Sequence, residues 1–72
     1  MTAEQIRNAY RLRPFRPFSI ISGSGQAYPV AAPEQMAISP GGDVIVILAE
    51  GGPFAMIDVP SIKRIAFNDR EG

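Results

Sequence analysis

The hydrophobic pattern begins with a helical period and changes to an extended one. Ile6, Ala9, Tyr10 and Arg13 recur at three- and four-residue spacing, which places them on one helix face, with the Arg13 stem lying along the apolar strip. Thr2 and Gln5 have the spacing of a capping box, in which the hydroxyl accepts from the residue-5 amide and the glutamine side chain reaches back. Glu4 and Arg7 are three apart and can pair on the surface. Pro14 closes the helix, because it lacks an N–H and drives Arg13 out of the α region. The pattern therefore predicts a helix over about residues 2–12. A helix this short is marginal alone in water and must lie on the rest of the chain.

From Phe15 onward the signals are those of strands and turns. Phe15–Ser22 reads as an extended segment whose proline-bearing start is an edge. Ser22-Gly23-Ser24-Gly25 is a turn, and the chain returns over Gln26–Ala32. A bend or bulge is expected at Pro33-Glu34, and Gln35–Ser39 resumes the strand. Pro40-Gly41-Gly42-Asp43 turns again, and Val44–Leu48 is the clearest strand, β-branched at most positions. After Glu50-Gly51-Gly52-Pro53 comes Phe54–Val59, then a corner at Pro60-Ser61 and a last strand over Ile62–Phe67. The polar residues 68–72 are expected to fray. The reading is one domain over 1–72: a helix at about 2–12, a β-meander at about 15–67 and a frayed tail. Mainly β with one N-terminal helix, it should form a small, bent, five-stranded antiparallel barrel with the helix over one open side.

Val44–Leu48 is apolar without alternation, and so are Ile20-Ile21 and Met56-Ile57. A half-exposed antiparallel strand should alternate, so the second faces of these strands need the helix, another part of the barrel or a neighbouring subunit. Size points the same way. Seventy-two residues with no Cys and no His bury a modest fraction of their surface and can build neither a disulfide nor a zinc site of the usual ligands. Self-association is the stabilising device that remains.

Composition narrows the chemistry. With no His or Cys, the common general base and the thiol nucleophile are missing. Asp43 and Glu50 stand at opposite ends of one strand, about 20 Å apart at strand rise, and Asp58 is read as solvent-facing or paired with Lys63 or Arg64. No catalytic, cofactor or metal site is expected. The glycine pair around Ser24 is followed by a strand pattern, whereas a phosphate loop needs a helix N-terminus there. The formal charge is zero, seven basic against seven acidic residues, so no long-range field gathers nucleic acid. Arg7, Arg11, Arg13 and Arg16 all precede residue 17 and are the RNA-contacting candidates, while Phe15 and Phe18 are expected to anchor the core. The longest apolar run, Val44–Ala49, is far below the roughly 20 residues of a spanning helix, and the first residues lack a signal peptide's apolar stretch. A cytoplasmic location and no membrane partner are expected.

Two resemblances add to this reading. Arg13-Pro14-Phe15-Arg16-Pro17-Phe18, Val30–Ser39 with Pro33-Glu34, Ser39-Pro40-Gly41-Gly42 and Ile57-Asp58-Val59 resemble a group of short uncharacterised bacterial proteins over nearly the whole length, which implies a shared fold and no particular function. The order of helix, strand with glycine turn, long bent strand, aliphatic strand and two short strands at a corner is similar to the Sm-like/Hfq family and to SH3-like barrels. Sm-like proteins form rings by pairing their last two strands between subunits and bind RNA. The resemblance implies that Phe54–Val59 and Ile62–Phe67 are pairing edges, with Phe54, Met56, Ile57, Ile65 and Phe67 as interface candidates. The family's RNA-binding residues do not carry over, because the last corner here is Asp58-Val59-Pro60-Ser61. The expected function is a non-catalytic homo-oligomeric binding or scaffold module. The alternatives are an RNA-binding ring using the N-terminal arginines and a monomeric adaptor for a peptide.

Overall fold

The computed structural model describes residues 2–49, 51–52 and 54–68. Helix α1 spans Ala3–Tyr10. The capping box forms as the spacing predicts: the Gln5 amide donates to Thr2 Oγ1, and the Thr2 amide donates to Gln5 Oε1 at 2.9 Å. The helix ends at Arg11, short of the expected residue 12, and turns Ile6 and Ala9 into the core. The polypeptide then runs through Pro14 and Pro17 into six strands: β1 (Phe18–Ser22), β2 (Ala27–Val30), β3 (Met36–Ile38), β4 (Val44–Leu48), β5 (Phe54–Asp58) and β6 (Ile62–Phe67).

These strands make two three-stranded antiparallel sheets, ordered β2-β1-β6 and β3-β4-β5. The long strand expected from Gln26 to Ser39 is divided by a single 3-10 turn over Pro33–Gln35. Its cause is local. Pro33 fits the first position of a helical turn, and Gln35 Oε1 accepts from the amides of Ala31 and Ala32 at 2.9 and 3.0 Å. The expected Pro60-Ser61 corner is a second 3-10 turn, Val59–Ser61, held by the Ser61 hydroxyl donating to the Asp58 carbonyl at 2.8 Å. Ser39 organises the Pro40–Asp43 turn: its Oγ accepts from the amides of Asp43 and Val44.

The core is Ile6, Ala9, Phe18, Ile20, Val30, Met36, Ile45, Ile47, Ile57, Val59 and Ile62, all buried. Phe18 sits at the helix-to-sheet junction as expected, its ring centroid 5.7 Å from Phe15 and 6.2 Å from Phe67. The aliphatic strand β4 does divide its faces. Ile45 and Ile47 point inward, Val44 and Val46 are half-buried, and Leu48 is exposed.

Hydrogen-bond parity shows which strand edges are open. In an antiparallel ladder, residues alternate between those bonded to the neighbour and those facing away from it. The Val59 amide donates to the Asp43 carbonyl, and with the β4–β5 register this turns the N–H and C=O of Phe54, Met56 and Asp58 away from β4. The Asn68 amide donates to the Pro17 carbonyl, so in the β1–β6 register Ile65 and Phe67 face away from β1. On β2 the outward positions are Ala27 and Pro29, since the Ser22 amide donates to the Gln26 carbonyl and the bonded pairs alternate from there. Proline offers no N–H there, and across a gap of about 210 Å³ lie Ile47, Ala49, Phe54 and Ala55 of the other sheet. The two sheets abut at that seam without sharing a ladder.

Candidate functional site

The arginines singled out from the sequence do not converge. Arg7 and Arg11, one helical turn apart, line a groove of about 320 Å³ with Tyr10, Ala37 and Ile38. Arg7 also approaches Glu4 Oε1 at 3.7 Å, the expected surface pair. Arg13 is occupied at the helix end, where its Nη1 donates to the carbonyls of Leu12 and Tyr10 at 2.7 and 3.1 Å, satisfying orphan acceptors of the last turn. Arg16 lies elsewhere, its guanidinium 4.2 Å from the Phe67 ring centroid, in cation–π geometry.

The carboxylates are likewise plain surface groups. Asp43 and Asp58 are exposed, and the β4–β5 register sets Asp58 opposite Val44, next to Asp43. Glu50 lies outside the described residues. Among the described residues, no three His, Cys, Asp or Glu side chains gather to hold a metal ion, and no helix is long and apolar enough to cross a membrane. The Ser22–Gly25 turn leads into β2. Its Gly23 amide donates to the Ser61 carbonyl at 2.8 Å, and the buried Ser22 hydroxyl bonds to Ser24 Oγ and accepts from the Gln26 amide.

The distinctive surface is apolar. Phe54 is 63% exposed, Met56 67% and Leu48 47%. These side chains occupy one face, since Leu48 stands opposite Phe54 and Met56 opposite Val46 in the β4–β5 ladder. Isolated exposed hydrophobics are ordinary, but a contiguous patch on an open edge is not. Of the proposed interface residues, Phe54 and Met56 lie on this patch, and Phe67 and Ile65 on the edge strand of the other sheet. Ile57 does not belong with them: strand alternation turns it inward, and at 7% exposure it is part of the protomer's own core. Leu48 was missed, although the end of the aliphatic run was its signal.

A second apolar feature lies beside β6. Gln5, Asn8, Ala9 and Leu12 of the helical segment and Ile65 and Phe67 of β6 line a groove of about 360 Å³. Ile65 and Phe67 stand opposite Ile20 and Phe18 on β1, so their side chains share the face that carries the core. The groove is thus the mouth of the core where the sheet ends. No periodicity within one segment shows it, because α1 and β6 are brought together only by the tertiary fold. Comparison of the chain with protein-family models, with curated proteins and with solved structures gives no match.

Proposed function

We propose that this chain is a non-catalytic, homo-oligomeric binding or scaffold module, a small bent barrel of Sm-like or SH3-like type whose copies join through open strand edges. The observation that carries the reading is the apolar patch of Leu48, Phe54 and Met56 on an unpaired edge. Such an edge is a template for another strand, and natural monomers blunt it with charge, proline or a covering element. β5 has one charged residue, Asp58, and that lies at its end. Light scattering or native mass spectrometry should find an assembly at micromolar concentration. A compact monomer overturns the reading.

An RNA-binding ring draws support from the groove in which Arg7 and Arg11 flank Tyr10. It predicts retention of single-stranded RNA at low salt, falling steeply as salt rises. Failure to retain RNA at low salt ends it.

A further inference from the structure

Resting on the self-association proposed above, we propose that strand β5 pairs with β5 of a second copy across a two-fold axis at Ala55, closing a symmetric dimer. The strands run antiparallel in one register: Phe54 opposite Met56 of the second copy, Met56 opposite its Phe54, and Ala55 opposite Ala55.

The choice of edge follows from how the sheet borders are finished. Natural sheets blunt an open border with proline, charge, a bulge, a short strand or a covering element. β2 carries Pro29 at one of its two outward positions. β3 is three residues long, its Met36 amide donates to the Pro33 carbonyl, and Arg7, Tyr10 and Arg11 stand against Ala37 and Ile38. β6 shifts register against β1 between Ile21 and Ser22, carries exposed Lys63 and Arg64, and has Gln5, Asn8 and Leu12 beside Ile65 and Phe67. Residues 54–57 of β5 include no proline and no charge, and their ladder with β4 runs without a bulge.

Backbone parity then sets the register. Phe54 and Met56 turn their N–H and C=O away from β4. Asp58 does too, but its carbonyl already accepts from the Ser61 hydroxyl. Antiparallel strands exchange bonds only between residues that face each other's edge. Setting Phe54 against Met56 joins both free residues of one copy to both of the other, each pair exchanging its N–H···O=C bonds. An axis at Met56 would put Phe54 against Asp58 on both sides, and an axis at Phe54 would leave each Met56 against Gly52. In the Ala55 register Asp58 meets only Gly52, which has no side chain to oppose its charge.

The side chains agree with this choice. Opposed residues share a face of the joint sheet, and Val46 and Leu48 flank Met56 and Phe54 from β4. Each Phe54 ring, 63% exposed in the protomer, meets the thioether of the opposite Met56 in a sulfur–aromatic contact. The apolar patch becomes one stripe across both copies. At the axis the opposed Cα atoms approach to about 4.5 Å, and alanine suits that approach. The contact uses the same surface on both copies, so it closes at two, whereas pairing unlike strands would extend to a ring or filament.

The chain has no cysteine, so an introduced thiol stands alone. In Ala55→Cys each thiol faces its own counterpart, and a Cα separation of about 4.5 Å lies within disulfide range. Gentle oxidation should give a covalent dimer, while Leu48→Cys, exposed but off the axis, should remain uncross-linked. A head-to-tail contact sets no residue against its own counterpart and gives no such dimer. In the wild type, exchange of the Phe54 and Met56 amides should slow roughly tenfold once about nine-tenths of the chains are paired, with Ile65 and Phe67 unchanged. A wild-type assembly that leaves folded Ala55→Cys uncross-linked, or leaves the Phe54 and Met56 amides fast, overturns the two-fold contact while self-association stands. A monomeric wild type overturns both. A monomer whose Phe54 and Met56 amides slow only with an unrelated extended peptide assigns the edge to a foreign strand and overturns the proposal.

Discussion

Gly42 is where the Pro40–Asp43 turn meets the helix, and replacing it with alanine tests how α1 is held. Gly42 has φ +78°, and a Cβ there would lie 2.9 Å from Ala3 Cβ and 3.3 Å from Arg7 Nη2. Two costs follow. Left-handed backbone costs an L-residue roughly 1–2 kcal/mol, and forcing a methyl into a filled contact costs about 1–3 kcal/mol more. Gly25 separates them: its φ is +92° but its added Cβ would meet nothing within 4 Å, so Gly25→Ala carries only the backbone cost. Gly42→Ala should therefore be the less stable variant by about 1–3 kcal/mol, a further loss in Tm of about 4–8 °C per kcal/mol. Thermal melts at one fixed protein concentration read this without interference from assembly. Ala3→Gly closes the cycle. Alone it costs up to about 1 kcal/mol of helix propensity, but beside Gly42→Ala it removes the clashing carbon and should recover stability. If Gly42→Ala costs no more than Gly25→Ala, or if Ala3→Gly adds its ordinary cost in both backgrounds, the turn does not brace the helix and the argument fails.

Other outcomes are set by the same geometry. Phe18→Ala empties the fully buried junction and should cost about 3–5 kcal/mol, a large part of the stability of a domain this size; a cooperative melt within a few degrees of wild type refutes its central place. Thr2→Ala removes the cap acceptor of the Gln5 amide and should cost about 1 kcal/mol, read in urea as a lower midpoint with unchanged slope. Gln35→Ala frees the amides of Ala31 and Ala32, and their hydrogen exchange should accelerate while that of β1 stays slow. Phe54→Ser with Met56→Ser should shift an assembly toward monomer and leave the fold intact, since neither side chain enters the core. Loss of the folded signal in that variant would show that the patch serves the protomer instead.

Much of the fold was legible because its signals are local. The Thr2–Gln5 cap, the glycine turns and the strands around β4 and β6 each follow from a few adjacent residues. The split of the long strand was not legible in full. Pro33 announced a bend, but a glutamine side chain catching two upstream amides is a conformational choice that residue type alone does not express. The doubly apolar reading of β4 overstated its case, since Val44 and Val46 are half-covered while Leu48 is bare. The arginines were grouped by position in the chain, and the structure separates them because one caps a helix and another stacks on a ring. The groove beside β6 needed helix and last strand together, contacts more than fifty residues apart in sequence, which no window of pattern can span.

Pro29 has a consequence for the crowded conditions of synthesis, when many identical chains emerge in a small volume. Any sheet that offers hydrogen-bonding groups on every border can seed fibrils by indiscriminate stacking. Here one of the two outward positions of β2, Pro29, is mute, so a stray strand arriving at that border finds the Ala27 amide but no second one to grip. A single imino acid thus acts as a gatekeeper, and replacing it with valine should make the protein prone to thioflavin-positive aggregates without altering its core.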